Sequence, residues 1–167
     1  MQKLEPPDRH YVEAAHGWLA LDCAGEARKE LQKVCPALQN HPLTLVIRWM
    51  LATREKNWDD ALAVARQELE ANPADLNGWL HRAYALRRRT GGGLAQAWDA
   101  LLPAAKKFPQ APIVAYNLSC YACQLNQLDI SRLWLRRAIQ IGGKAFVKKN
   151  ALADADLMPL WPEIQGL

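Results

Sequence analysis

Four small residues, Ala27, Ala61, Ala97 and Ser131, stand 34, 36 and 34 positions apart, each just inside a stretch of helical periodicity. A repeat of about this length is a pair of helices that cannot hide its apolar face alone, so neighbouring pairs must stack to bury it. The chain is therefore expected to be all-α, an α-solenoid built from about four such pairs. Architecture is legible before chemistry, and the function class it implies is a surface for binding.

The 167 residues are half hydrophobic, enough for one continuous core. The opening Met-Gln-Lys-Leu-Glu-Pro-Pro-Asp meets charge and two prolines before any apolar run, unlike a secretory leader. The uncharged stretches are too short for a bilayer-spanning helix. Cys23, Cys35, Cys120 and Cys123 have no stapling to do in a fold with its own core, so a reduced, cytoplasmic protein is expected. The net charge of +4 is modest. Its basic clusters, Arg87-Arg88-Arg89, Lys106-Lys107, Arg136-Arg137 and Lys148-Lys149, have the plain reading of solvated helix faces and the sharper one of an acidic partner's footprint.

Breaker residues divide the chain. Pro6-Pro7-Asp8 opens a first helix reaching about Leu21, the turn runs over residues 22–25, and a second helix continues to about Leu38. Asn40-His41-Pro42 starts a third helix to about Arg54; Lys56-Asn57 turns into a fourth that ends at Asn72-Pro73. Asp75 opens a fifth that stops near Thr90, because three consecutive glycines, 91–93, each cost a helix interior about 1 kcal/mol. The two extra residues of the 36-residue spacing belong there. A sixth helix spans about 94–107, a seventh runs from Pro112 to about Leu125, and an eighth, with Asp129 as its expected cap, closes at Gly142-Gly143. The organisation is a tail at 1–8, four hairpins at 9–142, and a capping segment at 143–167 divided at Ala153-Asp154-Ala155-Asp156, whose Leu157, Leu160, Trp161 and Ile164 would cover the last repeat.

Position by position, these residues resemble the tetratricopeptide repeat family, helix hairpins with small residues where helices cross. The second helices place Ala27, Ala61, Ala97 and Ser131 in one position, Leu31, Ala65, Leu101 and Leu135 four later, and Val34, Glu68, Ala104 and Ala138 three beyond, with Glu68 the outlier. The first helices place Ala15, Ala83 and Ser119 at the close contact, and Trp49 where the family has a small residue. Pro73 and Pro109 end repeats as the family's prolines do. The ending Ala-Asp-Leu-Met-Pro-Leu-Trp-Pro is similar to the tail of small stand-alone bacterial proteins with these repeats.

The resemblance implies a right-handed solenoid whose first helices line a concave groove for a peptide or protein segment. Carried over, the lining includes Arg9, Val12, Glu13 and His16, then Leu43, Val46, Ile47, Met50 and Arg54. The third repeat supplies Asn77, Leu80, His81, Tyr84, Arg87 and Arg88, and the fourth Ile113, Tyr116, Asn117, Cys120 and Gln124. Helical spacing independently puts Asn77, His81, Tyr84 and Arg88 on one stripe and Ile113, Tyr116, Asn117 and Cys120 on another. Arginine forks grip carboxylates and asparagine bonds an extended backbone, so Met50, Arg54, Asn77, His81, Tyr84, Arg87, Arg88, Tyr116 and Asn117 form a candidate clamp for an acidic, partly apolar segment. Most of the seven tryptophans are expected to pack between helices, and Trp79 and Trp49 are the candidates for an exposed one marking a contact surface beside it.

No catalytic constellation is visible. Cys120-Tyr-Ala-Cys123 has redox-motif spacing but lies mid-helix rather than at a helix start. The histidines are dispersed with no zinc-site spacing, and the three glycines lack the lysine and hydroxyl of a phosphate loop. The expectation is a non-enzymatic adaptor or scaffold without cofactor or metal, with a protein or peptide partner and no membrane association. Two other classes stand beside it: an RNA-binding helical repeat using Arg132, Arg136, Arg137, Lys148 and Lys149, and a self-associating module that forms homo-oligomers through its first helix or cap.

Overall fold

In a computed structural model, described over residues 3–167, the chain forms ten α-helices and no strand among the described residues. They are α1 (Asp8–Ala20), α2 (Ala24–Lys33), α3 (Pro42–Arg54), α4 (Trp58–Ala71), α5 (Leu76–Arg88), α6 (Leu94–Lys107), α7 (Pro112–Gln124), α8 (Leu128–Gly142), α9 (Lys144–Ala151) and α10 (Trp161–Gln165). Short 3₁₀ turns lie at Pro36–Leu38 and Ala155–Leu160. None of the helices is long and apolar enough to cross a membrane.

The small-residue rhythm is a packing rule. Ala27, Ala61, Ala97 and Ser131 are each the fourth residue of their helix and each has no exposed surface. Each sends its backbone N–H to the carbonyl of the residue just before the helix, Cys23, Asn57, Gly93 and Gln127, at 2.9–3.1 Å. The preceding helices carry Ala15, Trp49, Ala83 and Ser119, all buried. The Ser119–Ser131 pair shows how close the approach is. Ser119 Oγ donates to the Ser131 carbonyl at 2.9 Å, and Ser131 Oγ donates to the Ser119 carbonyl at 2.8 Å.

The turns inside the pairs repeat as well. Asp22, Lys56 and Asn126 take left-handed φ of 61°, 55° and 59°, and the following N–H bonds back to the carbonyl five residues earlier, Cys23 to Trp18, Asn57 to Ala52 and Gln127 to Ala122. This is the hydrogen-bonded left-handed stop that satisfies the last carbonyls of a helix. Between α5 and α6 the matching bond runs from Gly93 to Leu86, seven residues back, with Gly91 at φ 73° and Gly93 at φ 147°. The two residues added to the 36-residue spacing are absorbed in this turn.

Two compact units follow from the contacts, one ending at Ala85 and the other beginning at Leu86. In the first, α1 packs on α2, α3 on α4, and α3 also on α1 and α2. Its core gathers Val12, Leu19, Leu31, Val34, Ile47 and Leu51. In the second, α7 packs most extensively on α8 and also on α6 and the Ala155–Leu160 turn, while α9 packs on α8 and α10. Leu157, Leu160 and Ile164 are fully buried. The Trp161 indole donates to the Ala151 carbonyl at 2.9 Å.

Three boundaries differ from expectation. Helix α2 stops at Lys33, not near Leu38, because Pro36 forces Cys35 into extended backbone (φ −61°, ψ 149°) and Asp8 accepts the freed Cys35 N–H at 2.6 Å. Helix α5 ends at Arg88, shortly before Thr90. Asp129 does not cap α8. It lies in the first turn of a helix whose cap position is Gln127, and its carboxylate accepts from Arg132 at 2.7 Å.

Candidate functional site

In the first unit, the proposed groove face of α1 and α3 bounds a cleft of about 740 Å³. Its apolar lining is Leu4, Val12, Leu43, Val46 and Ile47; Leu43 is 57% exposed and Val46 42%. Large aliphatic side chains are left in water there because the core of this unit takes Ile47 and Leu51 from the neighbouring turns of the same helix. The polar lining is Lys3, Arg9, His16 and His41 against one carboxylate, Glu13. Lys3 pairs with Glu5 and Arg9 with Glu13, but both pairs are well exposed and so contribute little in water.

Other clamp candidates in this unit are spent elsewhere. Met50 is half-buried against the core. Arg54 turns back to the α1–α2 connection, donating to Asp22 at 2.6 Å and to the Leu19 carbonyl. Asn77 is exposed, with its N–H on Asp75. His81 stacks on Trp49 with ring centroids 4.0 Å apart and planes 11° from parallel, while its Nδ1 meets Glu68 Oε2 at 2.7 Å. The two departures from the repeat pattern, a tryptophan at 49 and a glutamate at 68, thus hold the same imidazole. Trp49 is 9% exposed, so the expectation of an exposed ring there is corrected. Trp79 is half-buried, its indole on the Pro73 carbonyl and Arg82 over its face at 5.0 Å. Tyr84 is exposed and edges onto Trp49 and Trp58.

In the second unit, the face of α7 is covered by the chain's own C-terminal segment. Arg87 forks both oxygens of Asp156, with Nη2 to Oδ1 at 2.7 Å, and its guanidinium lies 5.7 Å from the centre of the Tyr121 ring. Tyr116 donates its hydroxyl to Asp154 at 3.0 Å, the Cys120 thiol donates to the same oxygen at 3.5 Å, and Gln124 donates to the Asp156 carbonyl at 2.9 Å. Tyr116, Cys120 and Gln124 are four apart, one stripe of a helix, and the segment lies along it. Two of the candidates for an incoming acid, Arg87 and Tyr116, are therefore already engaged by internal carboxylates. Of the others, Arg88 is exposed and Asn117 half-buried.

The electrostatics follow from burial. Desolvation and the two aspartates push the Cys120 thiol far above the usual thiol range, and burial does the same to the Tyr116 hydroxyl, so both remain proton donors at neutral pH. Burial raises Tyr121 to about 12, against the opposing pull of Arg87 and Arg88. Cys120, Asp154 and Asp156 bring three ligand-type atoms within 4.8 Å of one another. A protonated thiol and an Asp156 carboxylate filled by a guanidinium leave Asp154 alone, too few ligands for a metal ion.

Sequence reasoning missed Asp154 and Asp156 as site residues, reading the Ala-Asp-Ala-Asp stretch only as a break between helices. Asp154 is such a breaker, its side chain accepting from the Asp156 N–H at 3.0 Å. The signal available was a pair of acids two apart in a cap that had to face a helix carrying arginine and tyrosine. No protein-family model matches the chain, and a search of curated proteins finds no match either.

Proposed function

We propose that the chain is a non-enzymatic interaction module, a right-handed solenoid of tetratricopeptide-like hairpins with a C-terminal cap, that binds an acidic, partly apolar segment of a protein partner. The observation that carries this reading is the α1–α3 cleft, an exposed aliphatic floor flanked by two cations and two imidazoles with one carboxylate. An amphipathic segment would bury Leu43 and Val46 at about 25 cal/mol per Å² and set its acids against Lys3 and Arg9. The repeat reading is supported by the in-phase burial of the four small residues and by the recurring turn bonds.

The test is selection of short random peptides on the wild-type chain, with a Val46→Asp variant as counter-screen. Enriched peptides should combine Leu or Phe with Asp or Glu, and Val46→Asp should weaken them about tenfold or more, with helicity unchanged because the side chain is exposed. Absence of enrichment, or enrichment indifferent to Val46→Asp, overturns the reading. The RNA alternative has less to draw on: Arg132 is held by Glu163 and Asp129, Arg137 donates to the Pro109 carbonyl, and Lys148 donates to the carbonyls of Gln165 and Leu167.

A further inference from the structure

The second unit holds a separate cleft of about 620 Å³ between the start of α7, α9 and the chain just before the Ala155–Leu160 turn. Its size lies in the range of small-molecule sites. The walls are Ile113, Tyr116, Phe146 and Val147, with Asn150 and Asp154 as the charged or amide-bearing lining. Phe146 is 67% exposed and Ile113 42%, although both stand beside a well-packed cap whose Val147 is buried. Among the described residues, no cationic side chain lines the cleft.

Asp154 decides the sign of what fits. Its carboxylate accepts from Tyr116, Cys120 and the Asp156 N–H, all neutral donors, and it forms no ion pair among the described residues. The Arg87 guanidinium is forked onto Asp156 instead. This half-buried carboxylate meets neutral donors and, among the described residues, no cationic side chain, and it lines a cleft walled by two aromatic rings. Aromatic faces and a carboxylate together attract a cation that also carries apolar surface. We propose that this cleft is a binding site for a small organic monocation, an aryl- or alkylammonium, with Asp154 as counter-ion, Tyr116 and Phe146 as aromatic walls and Ile113 and Val147 as the apolar seat.

The probes are phenethylammonium and its uncharged counterpart 2-phenylethanol, titrated at millimolar concentrations into the full chain and followed by amide and side-chain shifts in ¹H–¹⁵N spectra. The ammonium should shift Val147, the Asn150 side chain and Asp154, and bind about tenfold more tightly than the alcohol, the difference one well-placed charge makes. Asp154→Asn keeps an acceptor oxygen for the Asp156 N–H and turns its amide NH2, a donor, toward the Tyr116 oxygen, so it should erase that preference while leaving the spectrum folded. Phe146→Ala, at an exposed position, should weaken both probes. Equal binding of the two probes, a preference that survives Asp154→Asn, or no localised shifts at all would overturn the assignment. These outcomes leave the α1–α3 cleft untouched, so the two readings fail separately.

Discussion

Ser119 and Ser131 trade hydroxyls across a contact with no solvent access, each donating to the other's carbonyl. Each acceptor is a backbone carbonyl that alanine would keep, so what couples the two serines is the direct Oγ–Oγ contact at 3.0 Å. Ser131→Ala should cost about 1–2 kcal/mol, and the Ser119→Ala/Ser131→Ala double variant less than the sum of the singles, measured by urea unfolding. Cys120, Cys123, Tyr116 and Tyr121 make a second residue-scale prediction. Burial raises all four, so the folded state keeps protons that the unfolded chain releases at its ordinary values, about 8.5 for a thiol and 10 for a phenol. Their contribution is whole below about pH 8.5 and is lost as pH rises, so Tm should fall progressively between about pH 8.5 and 11. A Tm flat or rising over that range would contradict the assignment. The same burial predicts that Cys23, which is exposed, reacts with a thiol reagent in the native protein while Cys120 waits for unfolding.

The helices and their phase were legible because the chain states them redundantly, in small residues at one position, prolines at boundaries and glycines at stops. Helix α6 and the span of α3 emerge as expected from those marks. What sequence alone did not give were partners distant in the chain. Nothing local says that Trp49 and Glu68 converge on His81, or that Arg87 is claimed by a residue 69 positions later. The Asp129 cap failed for a subtler reason: a carboxylate in a first turn favours the helix dipole whether or not it caps, so the same residue type fits both positions. At the element scale the left-handed turn residues carry the clearest prediction. Lys56 holds φ 55° with a side chain that glycine would lack. Lys56→Gly should stabilise the chain by about 0.5–1 kcal/mol, the relief of the left-handed strain less the entropy gained by the unfolded state. A lower midpoint in urea would count against the hydrogen-bonded left-handed stop there.

Across the whole molecule, the C-terminal segment has two kinds of hold on its unit: a greasy one through Leu157, Leu160 and Ile164, and a polar one through Asp154 and Asp156. Arg87→Gln removes the fork and leaves a half-buried carboxylate behind, at a cost of about 1.5–3 kcal/mol. Because the aliphatic residues remain, the cap should stay docked, with faster amide exchange confined to residues 153–158. Wholesale loss of protection in α8 and α9 would show that the polar hold dominates. The turn between α5 and α6 leads in another direction. Two surplus residues sit there while Ala97 stays buried in the same helix position as its counterparts, so length has been added without disturbing phase. Lengthening such a loop further costs only about 0.6 kcal/mol per doubling. It is the natural splice point of the chain, the place where a protein engineer would insert a fluorescent reporter, an affinity handle or a protease site and expect the helices on both sides to read on unbroken.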